Sequence, residues 1–239
     1  MRKILLSIII SLSILSSYAQ TYLPKSEGEI VEHTYYTLAY AEEHEQAYWV
    51  YYVLTPEMVS GDVKRSDDFR ADNKVKTGSA TLTDYKSSGY DRGHLCPAAS
   101  MSINTTAMSE SFYMSNMSPQ TPSFNRGGWK KLEDKVRGFA LKEQKIYVVT
   151  GPIFNDVIGT IGANNVTIPG YYYKAIYAPE ANKMIAFIMP NTKIESGLAS
   201  YAVSVDYLED ITGIDFFYEL PDDIENELEA NFNVSYWAL

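Results

Sequence analysis

A single cysteine, Cys96, stands in the 239 residues, so no disulfide can form within the chain. A thiolate zinc centre and a disulfide-dense scaffold are both excluded. Histidine is almost as scarce. His33, His44 and His94 are the three present, and none falls in a His-Glu-x-x-His pattern. Beyond the N-terminal segment there is no apolar run approaching the roughly 20 residues that a membrane-spanning helix requires. Positive charge is also short, with 20 Lys+Arg against 30 Asp+Glu and a formal net charge of −10. Averaged over the chain, that balance speaks against a polyanionic partner.

What the chain does have is material for a core. It is 46% hydrophobic, 13% aromatic and 21% charged, which excludes a collagen-like chain and general disorder. Residues 1–19 have the form of a signal peptide. Arg2 and Lys3 precede an apolar stretch from Ile4 to Leu15, and Ser17-Tyr18-Ala19 offers a small-x-small cleavage site before Gln20. The apolar stretch is too short to span a bilayer. The expectation is therefore export, periplasmic or extracellular, with no membrane attachment after cleavage and one domain over residues 20–239.

Residues 20–45 read as a polar lead-in, in which His33 and His44 are expected to face solvent. Gln46–Leu54 is aromatic and β-branched, a strand. Lys145–Gly151 reads as a central strand ended by Gly151-Pro152, and Tyr171–Tyr177 with Met184–Met189 as a hairpin-linked pair. Val205 to about Leu228 suits a helix, a break at glycine and a second helix. The predicted fold is α+β, a mostly antiparallel central sheet flanked by helices. The 20 tyrosines are assigned to core and sheet rather than to base stacking. Charge is unevenly spread: residues 61–145 hold 14 basic and 10 acidic side chains, the rest of the mature chain 4 and 20. Ten acids and no Lys or Arg lie between Asp206 and Glu229.

His94 is set apart by its neighbours, in Ser88-Gly-Tyr-Asp-Arg-Gly-His-Leu-Cys-Pro97. Residues three apart on a strand point to opposite faces, so Asp91 is expected to be structural rather than a partner of His94. Cys96 is expected to be a buried part of the same packed motif. Downstream, Trp129, Leu132, Val136, Phe139 and Ala140 recur at helical spacing, which predicts a helix from near Asn125 to Lys142. Positions 125, 129, 133 and 137 fall on one i+4 ridge with Asn125 near the N-terminus, where capping would be its plainest role. Eight helical residues span about 12 Å. A cation held by the Asn125 amide oxygen, with Glu133 acting through water, fits that spacing, and a sparse oxygen site suits magnesium.

Asp91-Arg92-Gly93-His94, then Ser115-Asn-Met-Ser-Pro-Gln120, then Phe124-Asn-Arg-Gly-x-Trp129 with Glu133 resembles the DNA/RNA non-specific endonuclease family, whose active site is of the ββα-metal type. The resemblance runs from about Tyr51 to Leu228. It implies an endonuclease acting on DNA and RNA with one Mg2+ or Mn2+ ion, and His94 as the general base. It further implies Arg92 on the phosphate or its transition-state charge, Asn116 grouped with the catalytic residues and helping to hold the site, Asn125 as metal ligand and Glu133 on the metal waters. Arg65 and Arg137 are implied as phosphate contacts, and Arg126 is a further candidate beside the metal ligand. Cys96 stands where the family more often has alanine. The rival classes are an exported nucleic-acid-binding protein without activity, and a sequence-selective nuclease or other phosphodiesterase.

Overall fold

The computed structural model describes residues 22–239, so the signal-peptide assignment lies outside the described residues. Nine strands are present among them: β1 Glu29–Glu32, β2 Tyr36–Ala41, β3 Gln46–Leu54, β4 Asp91–His94, β5 Met117–Gln120, β6 Ile146–Ile161, β7 Val166–Ala178, β8 Lys183–Pro190 and β9 Ala202–Val203. The helices are α1 Pro56–Val59, α2 Leu82–Tyr85, α3 Thr105–Glu110, α4 Lys130–Glu143, α5 Val205–Thr212 and α6 Asp222–Glu229. Seven strands form one sheet in the order β1-β2-β3-β6-β7-β8-β9, antiparallel throughout. β4 and β5 form a separate antiparallel pair. The class is α+β, as the sequence predicts.

The near-continuous apolar runs in the strands have a direct cause: the sheet is covered on both faces. Alternate residues serve opposite cores. Val50, Tyr52, Val148, Ile176, Ile185 and Phe187 pack with Leu132, Val136 and Phe139 of α4. Trp49, Tyr51, Val149, Ala175, Tyr177 and Ala186 pack with Val205, Leu208 and Leu228 of α5 and α6. The helix-glycine-helix reading of the C-terminal region holds, because α5 closes on Gly213 at φ 68°, the left-handed conformation that glycine adopts at little cost.

Two expectations are corrected. The described part of the expected lead-in, residues 22–45, is not one, since β1 and β2 form one margin of the sheet. His33 is buried between them, its Nε2 2.9 Å from Asp72 Oδ2. His44 stacks on Phe154 with ring centroids 3.7 Å apart, and its Nδ1 lies 3.0 Å from Thr167 Oγ1. Neither is a simple solvent-facing side chain. The strand at Lys145 also does not end at Gly151-Pro152. β6 continues to Ile161, with Gly151 opposite Tyr173 and Pro152 opposite Tyr172. β3 pairs with β6 only as far as Thr150. Beyond that point β6 has a partner on one side, where a proline costs the sheet least.

Candidate active site

The β4–β5 pair and α4 form a ββα unit on the α4 side of the sheet. Gly93 faces Ser118 across the pair, and a Cβ there would come within 2.3 Å of the Gln120 side chain. Only glycine permits that approach. Arg92 and His94 are two apart in sequence, hence neighbours along a strand that alternates with Gly93.

The helix after β5 starts with a π turn, Phe124–Trp129, before α4 begins at Lys130. Such wide turns concentrate at functional sites. The turn re-phases the ridge expected at 125, 129, 133 and 137. Trp129 is turned fully inward, while Asn125, Glu133 and Arg137 line a cleft of about 260 Å3. Asn125 does not cap the helix. Its Nδ2 donates instead to Asp91 Oδ2 at 2.9 Å. Asp91 is thus a positioning group, as its place on the strand suggested, and not a partner of the imidazole. Burial alone would raise its pKa, but hydrogen bonds from Arg126 and Asn125 hold it below the ordinary carboxylate value. Arg126 engages Asp91 through Nε at 2.8 Å and Nη2 at 2.6 Å.

The cleft gathers Arg65, Arg92, His94, Asn125, Arg126, Lys130, Glu133 and Arg137. Every site residue named from the sequence is among them except Asn116. That side chain is fully buried, its Oδ1 accepting from Cys96 N at 2.8 Å and its Nδ2 donating to the carbonyls of Cys96 and Ser111. Asn116 braces the loop after β4 and has no place in the cleft, which corrects its grouping with catalytic residues. Arg65 lies over the Phe112 ring at 4.7 Å, and Arg92 over Phe69 at 4.2 Å. Arg70, near Arg65 in sequence, is committed elsewhere, to Asp68 and to the face of Tyr113. Arg137 pairs with Asp134 through Nη2, while its Nη1 is sealed and without a partner.

His94 is 8% exposed, wedged edge-on against Phe69 and Phe112, with Nε2 sealed and unpaired. Burial, then the charges of Arg65 and Arg92, push its pKa from 6.5 down to about 3. The imidazole is therefore neutral. Its backbone is pinned from below, where Trp129 Nε1 donates to the His94 carbonyl at 3.3 Å. Lys174 Nζ reaches the next carbonyl, Leu95 O, at 3.4 Å and lies 4.5 Å over the Trp129 ring. Lys174 was missed in the sequence. Its signal is a lone charge inside the strand Tyr-Tyr-Tyr-Lys-Ala-Ile-Tyr. Burial lowers the Lys174 pKa and raises that of Glu133, while each charge favours the other's ionised form. Cys96 is fully buried, and its thiol is pushed up by burial into an inert form.

The donor set fits a hard divalent cation. Asn125 Oδ1 accepts no hydrogen bond among the described residues, and neither does the Glu133 carboxylate, although both side chains line the cleft. An amide oxygen and a carboxylate are the ligands magnesium takes, with water completing its shell. One acid among five cations also makes the cleft receptive to an anion.

A model of the DNA/RNA non-specific endonuclease family matches residues 16–223. Human mitochondrial endonuclease G is 34% identical over 198 residues, covering 76% of this chain and 67% of the human protein. A nuclease of Nostoc sp. is 32% identical over 209 residues, covering 82% and 75% of the two chains. A chain from a crystal structure of an EndoG/EndoGI complex superposes with a TM-score of 0.77 at 32% identity, covering 82% of this chain and 88% of its own. With the ββα unit and its cleft, these likenesses mean that the chain belongs to the DNA/RNA non-specific endonuclease family, a family of metal-dependent nucleases.

Proposed function

We propose that this protein is an exported hydrolase that cuts phosphodiester bonds of DNA and RNA without sequence selectivity, using one Mg2+ or Mn2+ ion. The observation that carries this reading is a neutral, buried imidazole among guanidinium groups, in one cleft with an amide oxygen and a carboxylate that lack protein donors. Hydrolysis needs a base for the attacking water and positive charge for the phosphorane oxygens. His94 takes the water's proton, and its low basicity keeps it unprotonated and available at neutral pH. Arg92 and Arg65 face the charge that grows on the non-bridging oxygens, with Arg137 adding positive charge from the same cleft. Arg126, already held by Asp91, contributes field more than a free fork.

When bound at Asn125 and Glu133, the divalent ion supplies Lewis-acid stabilisation to the scissile phosphate and the leaving oxygen. Asp91 fixes the amide so that Asn125 Oδ1 remains free as a ligand atom, and Glu133 orders water beside it. Recognition through phosphate rather than base edges accounts for indifference to sequence and sugar. Export rests on the form of residues 1–19. No helix among the described residues is long and apolar enough to cross a membrane.

The test is incubation of the mature chain with supercoiled plasmid and with RNA, with magnesium and with chelator. Both polymers are degraded with the metal and neither with the chelator. Failure to cut either polymer with any divalent ion contradicts the proposal, and a fixed set of fragments replaces it with sequence-selective cleavage.

A further inference from the structure

On the opposite face of the sheet from the cleft, α5 and α6 bring three carboxylates together. One oxygen each from Asp206, Glu209 and Glu229 lies within 4.8 Å of the others. Asp206 and Glu209 are three residues apart on α5 and so share a helix face. Glu229 ends α6. No ion pair reaches any of the three among the described residues, and no Lys or Arg occurs from 206 to 229.

Glu229 makes this more than an acidic surface. It is 4% exposed, and its Oε1 is sealed from water with no hydrogen-bond partner. A buried carboxyl oxygen without a donor is costly, and ionising it beside two other acids is costlier still. Two things could offset that cost: a proton or a cation. A proton would neutralise Glu229 but leave its sealed Oε1 without a hydrogen-bond partner in the protein, a need that a cation fills. Three carboxylate oxygens all within 4.8 Å of one another can share one cation, and calcium takes such oxygens in a flexible shell of about six to eight ligands. Magnesium demands a near-ideal octahedron and usually takes only one or two carboxylates, so three carboxylates from two helices suit calcium better. Glu209 gives one oxygen, Oε1, to Phe216 N at 2.7 Å, which holds the side chain in place and leaves Oε2. Asp206 is exposed, so the site has an opening through which water can complete the shell.

We propose that Asp206, Glu209 and Glu229 form a calcium site that staples α5 to α6, separate from the catalytic ion. The surrounding field agrees: burial and neighbouring acids, among them Asp215 and Glu225, raise Glu209 to about 7 and Glu229 to about 9. Those values mark how strongly the pair needs a positive partner.

The experiment is calorimetric titration of calcium into the mature protein in excess magnesium at pH 7.5, with melting curves at matched calcium. The wild type binds one calcium per chain, and its Tm rises by about 5–10 °C once calcium exceeds its Kd a hundredfold. Glu229→Gln loses both effects. Asp206→Asn, at an exposed position and therefore safe for folding, loses them too. Calcium stoichiometry and melting shift in Asp206→Asn equal to those of the wild type overturn the proposal. So does a wild type that ignores calcium but gains stability between pH 8 and pH 6, which assigns the carboxyls to protons.

Discussion

Among the residues, His94 makes the sharpest statement about pH. The base role proposed for it requires a neutral ring, and burial with Arg65 and Arg92 pushes the His94 pKa from 6.5 down to about 3. The acid limb of kcat/KM, which reports the free enzyme, therefore lies well below pH 6.5. The profile is to be read at saturating magnesium, where a cation at the proposed site would keep Glu133 ionised despite the burial that raises its pKa. Arg65→Ala removes one repelling charge, so the limb moves up in pH as KM rises about tenfold or more, the scale of a lost charged hydrogen bond. An acid limb that stays put in the variant contradicts the electrostatic account of His94. The residues of the cleft were legible because their spacing forms a pattern: Arg92, His94, Asn125, Glu133, Arg137 and Arg65 all converge. Lys174 was not, because its role arises from burial against Trp129 and Leu95, which lie in other segments. Asn116 was legible as important, but only its three backbone contacts reveal that it braces rather than reacts.

Among the elements, β4–β5 packing is the most exacting. Gly93→Ala places a Cβ within 2.3 Å of Gln120, whose side chain is itself fully buried. The expected loss is about 1–3 kcal/mol in chemical denaturation, the range for overpacking a close-packed core. Unchanged stability means that Gln120 can move aside. The strands Gln46–Leu54 and Tyr171–Tyr177 were readable from aromatic and β-branched density. β1 and β2 were hidden because short strands interleaved with Glu, Thr and His look like a polar lead-in. The π turn was invisible for a different reason: apolar spacing in Trp129–Ala140 is α-helical, and the irregular turn lies just before it.

At the scale of the molecule, the net charge of −10 conceals a division of labour. The basic middle of the chain supplies every charged residue of the cleft, while α5 and α6, on the other face of the sheet, hold eight acids and no Lys or Arg. A polyanion thus meets a local field opposite in sign to the overall charge. Cleavage at saturating magnesium is expected to slow as monovalent salt rises from low to physiological strength, through screening and loss of counterion release. A rate indifferent to salt over that range removes electrostatic steering from the account.

The most direct measurement is single-substrate turnover of His94→Ala beside the wild type, both confirmed folded by circular dichroism and melting. With plasmid and magnesium in excess, kcat falls by about 10²–10⁴, the range for losing a general base, while DNA binding persists. A variant that folds, binds DNA and turns over at the wild-type rate contradicts the assignment of His94 as the base, and with it the mechanism proposed for the cleft.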